Sequence, residues 1–230
     1  MALWRRIMAV MLILGIVAGC GQAETPDAAK LATDAATAFE RVQTFHFVLD
    51  VTEGNSAPLN EIILLSAEGD TERPDKLQAT LKARLGDVPI AANIIAIIIG
   101  QDAWITPNPF NPSEFEKQAD TSGLSAFSPA KGVSDVLRGL RNAEYVAEEE
   151  LEGVKVHRIK GVVDAAALGA LTGGAATGGD VQIEAWIGVD DTIVRKLVGV
   201  GALDPVEEAT ITRTIVMSAF NEPVTISAPE

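Results

Sequence analysis

Few side chains in this 230-residue chain have the type and spacing that chemistry needs. Ser128-Pro129-Ala130-Lys131 matches the S-x-x-K pattern in which a lysine serves a serine nucleophile, but the S-D-N and K-T-G companions are missing. Its place at the head of an expected helix suits a capping serine instead. His46 and His157 lie far apart with no Ser or Asp partner evident in local sequence, and no G-x-S-x-G elbow occurs. Two separated histidines also give a metal centre too little to work with. Glu148-Glu149-Glu150 are consecutive, so in a strand they alternate between faces and do not form a carboxylate pair. The glycine-rich stretch 171–179 lacks both the Lys-Ser/Thr ending and the strand-to-helix setting of a phosphate loop, and reads as a flexible connection. These residues predict no catalytic site, no metal site and no cofactor.

Cys20 is different. Arg5 and Arg6, the apolar run from Ile7 to Ala18 and a small residue ahead of the cysteine form an export signal. The run is about a dozen residues, short of the roughly 20 needed to span a bilayer as a helix. Val17-Ala18-Gly19-Cys20 resembles the bacterial lipobox, whose cysteine is diacylated on sulfur and freed by the lipoprotein signal peptidase. The expected organisation is a signal peptide over 1–19, an acylated N-terminus and tether over 20–27, and a single domain over 28–230. Cys20 is the expected lipidation site, and the expected location is the extracytoplasmic face of the cell membrane, held by the lipid.

The chain carries 18 Lys and Arg against 32 Asp and Glu, and loss of residues 1–19 removes two bases and no acid. An acidic body lacks the basic surface that binding to nucleic-acid phosphates requires, and anionic lipid repels it. Membrane attachment therefore falls to the acyl chains, each buried methylene contributing about 0.8 kcal/mol. One cysteine excludes a disulfide framework within the chain. A chain of this length buries enough surface to hold a core without one.

The elements follow from periodicity. Ala28, Leu31, Ala32, Ala35, Ala38, Phe39 and Val42 recur at three and four, predicting an amphipathic helix of about 15 residues capped by Asp27. Phe45, Phe47, Leu49 and Val51 alternate with His46 and Asp50, and Leu77, Ala79 and Leu81 alternate with polar residues. Runs at 58–67, 90–99, 102–106, 143–149, 154–163, 181–189, 193–202 and 207–218 also read as strands, and helices are expected near 129–141 and 164–171. Around ten strands with few helices predict an α+β domain: a single large curved antiparallel sheet with helices covering one face. The run Ile90–Ile99 is apolar on both faces, so each face needs an apolar neighbour.

The order of motifs resembles one family. After the lipobox and first helix come F-H-F-V-L-D-V at 45–51, Q-D-A-W-I-T-P at 101–107, F-S-P-A-K-G-V-S-D-V-L at 127–137, G-V-K-V-H-R-I-K-G at 153–161, I-E-A-W-I-G at 183–188 and F-N-E-P-V at 220–224. This succession is similar to the LppX/LprA/LprF/LprG lipoproteins best known from actinobacteria. The resemblance implies a half-barrel whose helices cover the concave face around an apolar cavity. It also implies a non-catalytic carrier of acylated lipids or glycolipids across the cell envelope, working with a membrane transporter, and it names no catalytic residue. Cavity walls are expected from Phe45, Phe47, Leu49 and Val51 on the first strand, from Leu77, Ala79 and Leu81 on a neighbouring one, and from Ile94, Ala96 and Ile98. The protein is expected to be a monomer whose only ligand is lipid cargo. Two other readings stay open at this point: a membrane-tethered scaffold or sensor with a packed core, and a LolA/LolB-like carrier of lipoproteins.

Overall fold

The computed structural model describes residues 25–57, 62–85, 91–107, 114–119, 128–172, 176 and 178–229. The expected signal peptide, Cys20 and most of the glycine-rich stretch lie outside the described residues.

Helix α1 (Ala28–Phe39) starts where Asp27 accepts hydrogen bonds from the backbone N–H groups of Ala29 and Lys30, both at 3.0 Å. Its buried stripe is Ala28, Ala32, Ala35, Ala36 and Phe39. The helix is shorter than its periodicity predicts. The carbonyl of Val42 is taken by the Arg73 guanidinium at 2.8 Å, so Val42 is buried outside the helix. Helix α2 (Pro129–Arg138) has Ser128 as N-cap and Pro129 in its first turn. A short 3₁₀ turn at Ala165–Leu168 runs into α3 (Gly169–Thr172).

The strands are β1 (Thr44–Thr52), β2 (Ile62–Glu72), β3 (Lys76–Leu85), β4 (Ala91–Ile99), β5 (Asp102–Ile105) and β6 (Glu116–Lys117), then β7 (Arg141–Leu151), β8 (Val154–Asp164), β9 (Asp180–Gly188), β10 (Val194–Val200) and β11 (Thr212–Ser218). All belong to one 11-stranded antiparallel sheet, ordered β6-β5-β4-β3-β2-β1-β11-β10-β9-β8-β7. Two meanders, β1–β6 and β7–β11, are thus joined edge to edge where β1 pairs with β11. The α+β class, with one open curved antiparallel sheet, is as expected.

Three features differ from the expectation. The expected 58–67 strand continues to Glu72, running through Gly69, while residues 58–61 lie outside the described residues. A Cβ at Gly69 would stand 2.2 Å from the carbonyl oxygen of Gln78, so only glycine lets β2 and β3 approach this closely. The expected 207–218 strand begins only at Thr212, since Glu207 is drawn out of the ladder to bond elsewhere. Finally, β3 is not next to β1: β2 lies between them, so Leu77, Ala79 and Leu81 stand two strands from Phe45 and its row.

Candidate functional site

Directly paired residues in an antiparallel ladder point to the same face, so the register defines the surface under the helices. One row crosses nine strands: Ile94, Leu81, Ala67, Leu49, Ile215, Leu197, Ala185, Ile159 and Tyr145. A second row runs Ile105, Ala96, Ala79, Gly69, Phe47 and Met217, and a third Ala103, Ile98, Leu77, Thr71 and Phe45. The register therefore brings Phe45, Phe47, Leu49, Leu77, Ala79, Leu81, Ile94, Ala96 and Ile98 to one face, and the alternation of β1 adds Val51. It also decides the two-faced strand. Ile94, Ala96 and Ile98 look inward, while Ile97 pairs with Gln78 and Trp104 on the convex side.

The helices cover this face unevenly. α1 packs on α2, β7 and β10, and the 3₁₀ turn packs on β8, all around the C-terminal meander. Phe39 meets Phe45 at 5.0 Å between ring centroids, tilted by 58°, and closes the centre. Over the N-terminal meander, Val51, Leu64, Leu81, Ala92 and Ile94 stay partly exposed, whereas Ile159, Ala185 and Leu197 in the same belt are buried. The N-terminal meander is also built from small residues, Ala67, Gly69, Ala79, Ala83 and Ala96.

Under the helices, the described residues enclose one small space. A cavity of only about 30 Å³ lies among Leu49, Val136, Leu168, Leu171, Ile183, Leu197, Gly199, Arg213 and Ile215. Sites that enclose drug-sized ligands typically measure about 300–1,000 Å³. Arg213 is the unexpected member of this lining, since its register partners are Val51 and Gly199. It pairs with Glu207, the two side chains being 10% and 2% exposed. Glu207 further accepts the N–H groups of Ala57 and Leu203, each at 2.7 Å, so both charges of this buried pair have partners. Burial pushes the Arg213 guanidinium down from its usual value, and Glu207 opposes that shift. Alternation could have found it: Arg213, Ile215 and Met217 are two apart in sequence.

A second cavity, of about 170 Å³, lies at the β2–β3 turn between that turn, β4 and the start of α2. Arg73 is its bracket. The guanidinium donates to the carbonyls of Val42 at 2.8 Å, Ala130 at 2.9 Å and Phe39 at 3.3 Å, and lies 5.7 Å from the Phe39 ring centroid. Desolvation holds its pKa below the usual value, with Glu40 acting the other way.

Residues that could have done chemistry are placed differently from how local sequence reads. His46 does gain an acid: its Nδ1 lies 2.9 Å from Asp70 Oδ1, and Ser218 is its partner on the opposite strand. The set does not form a nucleophilic triad, because Nε2 faces Glu68 Oε1 at 3.5 Å rather than the serine. β1 and its neighbours also spend their backbone N–H groups in ladders on both sides, leaving no donors for an oxyanion. Ser128 caps α2 through the N–H of Lys131, whose own ammonium pairs with Asp135. Glu149 accepts the Trp186 indole N–H, while Glu148 and Glu150 stay in solvent. Among the described residues, no three His, Cys, Asp or Glu side chains cluster as metal ligands, and no helix is long and apolar enough to cross a membrane.

Two solved structures share the fold. LprF from Mycobacterium bovis superposes with a TM-score of 0.67 at 17% identity, covering 89% of this chain and 99% of that one. LppX from Mycobacterium tuberculosis gives 0.61 at 20% identity, over 88% and 100%. No curated relative matches at a significant level. The family model of the LppX_LprAFG lipoproteins matches residues 27–226, the whole span that builds the sheet and its helices. This chain belongs to the LppX_LprAFG lipoprotein family.

Proposed function

We propose that the protein is a non-catalytic, membrane-anchored lipoprotein that takes the acyl chains of a lipid or glycolipid onto the concave face and carries them across the cell envelope. The observation that carries this reading is the apolar row across nine strands, covered by helices over one meander and partly exposed over the other. Two acyl chains hold about 30 methylenes, so leaving them in water costs on the order of 24 kcal/mol. An apolar face removes that cost in transit, whereas relative to a bilayer it offers almost no gain. Such a protein lowers the barrier to carrying lipid and does not accumulate it.

The small closed cavity shapes the mechanism. At about 30 Å³ it holds no acyl chain, so chains enter along the open meander and lodge by prising the helices from the sheet. Phe45, Phe47, Leu49, Val51, Leu77, Ala79, Leu81, Ile94, Ala96 and Ile98 are the walls in this reading. The anchor is Cys20, the attachment is to the extracytoplasmic face of the membrane, and the partner is a transporter that loads or unloads the cargo.

Two measurements test it. Organic extraction of the purified full chain, followed by mass spectrometry, should give about one lipid per protein. A lipid-free protein that also fails to take lipid from vesicles removes the carrier reading and favours a packed scaffold. For the anchor, Cys20→Ala should leave an unprocessed precursor or a form that no longer partitions with detergent. A variant still cleaved at the same site and still detergent-bound excludes lipidation there.

A further inference from the structure

The cavity at the β2–β3 turn is polar where the concave face beside it is not. Thr71, Leu77 and Ile98 belong both to the concave surface and to this cavity's lining, so it lies at one end of that surface. Thr71 is 3% exposed, and its hydroxyl has no hydrogen-bond partner. A hydroxyl left so costs about 1–3 kcal/mol, which an apolar residue of the same shape would avoid. Beside it, Arg73 spends Nε and one terminal nitrogen on three carbonyls and forms no ion pair with any described carboxylate.

Charge selects the kind of group that fits. The rim holds Arg73 and Lys76 against Glu72 and Asp75, and Lys76 is already bonded to both oxygens of Glu72 at 3.0 and 3.1 Å. What remains is Arg73, which also lies in the field of Glu40, and the carboxylate of Asp75 on the same rim. A phosphate would gain from Arg73 and be repelled by Asp75. An uncharged group with acceptor oxygens and a hydroxyl meets donors from Thr71 and Arg73 and an acceptor in Asp75.

We propose that this cavity is the polar subsite of the carrier, taking the ester carbonyl and hydroxyl of an uncharged acylated head while the chains lie along the concave face. The proposal rests on the carrier reading above. It explains why a buried threonine without a partner occupies an inward position of β2. The bound group supplies the missing hydrogen bond.

The test uses the full-length, acylated protein in phosphatidylcholine vesicles, with two pyrene-labelled probes of equal chain length: a diacylglycerol and a plain hydrocarbon. Thr71→Val removes only the hydroxyl, and should lower diacylglycerol occupancy about 3- to 10-fold while leaving hydrocarbon occupancy unchanged. Its denaturant midpoint in the absence of probe should stay level or rise, because the lost hydroxyl had no partner. Equal occupancy of diacylglycerol in Thr71→Val and wild type overturns the subsite but leaves the carrier standing. If neither probe binds the wild type, the carrier reading itself fails. Stronger competition by the matching phosphatidate than by diacylglycerol also overturns the proposal, since it makes the site one for anions. A drop in midpoint for Thr71→Val overturns it too, because the hydroxyl would then already have a structural partner.

Discussion

The two meanders of the sheet carry the same alternation but end in different environments. In the C-terminal one, Ile159, Ala185 and Leu197 are sealed under α1, α2 and the 3₁₀ turn. In the N-terminal one, Leu81 and Ile94 continue the same row partly exposed, next to a floor of Ala67, Gly69, Ala79 and Ala96. Both halves feed one hydrophobic core, which in the N-terminal half takes in Phe45, Phe47, Leu77, Ala79 and Ile98 and loosens towards Val51, Leu64, Leu81 and Ile94. The difference shows that amphipathic strands do not reveal whether their apolar face meets protein or ligand. Which one it meets depends on where the helices land.

The largest expected effect probes the sealed half. Arg213→Met leaves the Glu207 carboxylate buried with its charge uncompensated, and should cost about 3–5 kcal/mol by urea denaturation. The double replacement Arg213→Met with Glu207→Leu should recover most of that loss. A single variant as stable as wild type would mean that water reaches the pair and that this end of the sealed half is open.

A matched pair of truncations sharpens the contrast itself. Ile159→Ala should cost about 2–5 kcal/mol, because the site is fully buried and cannot collapse. Leu81→Ala, in the same row on the other meander, should cost less, about 1–2 kcal/mol, since part of its surface stays in water. Equal losses would make the N-terminal half as tightly packed as the other and remove the comparison.

The smallest effect is a matter of pH, at the turn between β9 and β10. The Asp191 carboxylate accepts hydrogen bonds from the Arg195 guanidinium, which hold its pKa below the ordinary 3.8 despite partial burial, with the Ile193 N–H adding to the shift. A carboxyl depressed in the fold stabilises above its unfolded pKa, and that contribution is lost as pH falls through the folded value. Wild type should therefore exceed Asp191→Asn in stability at about pH 6 and converge with it near about pH 2. The gap should be well under about 1 kcal/mol, since solvent screens a carboxylate this exposed. A gap that stays constant with pH would show that the aspartate acts through its turn geometry, not its charge.

Much of the fold was legible because strands write their faces into the chain at a period of two. The apolar rows Phe45 to Val51 and Leu77 to Leu81 could be assigned to a face before any neighbour was known. Legibility ended where a residue answers to something distant. Helix α1 ends at Phe39, and the chain just past it is held by Arg73, more than thirty residues on, through the Val42 carbonyl. Gly69 shows nothing in its own neighbourhood of the close contact it makes with Gln78. Glu207 opens the expected 207–218 strand, yet its partners are Ala57, Leu203 and Arg213. His46 has no acid in its own sequence neighbourhood that its ring can use, and acquires Asp70 only when β1 and β2 pair.

By itself the sequence determined the N-terminal succession of two arginines, an apolar run and the lone cysteine, the acidic charge, and the alternation that sorts each strand into an apolar and a polar face. These are local properties, set by residue type and by a repeat that the backbone imposes on any strand. The pairing of β1 with β11 was decided by the tertiary structure alone, as was the packing of the described helices against β7, β8 and β10. The same holds for the meeting of Thr71 and Arg73 with Ile98 and the first turn of α2 around one cavity. Each of these joins residues far apart in the chain, and contacts of that kind are chosen by the burial of the whole apolar surface at once, which no local pattern encodes.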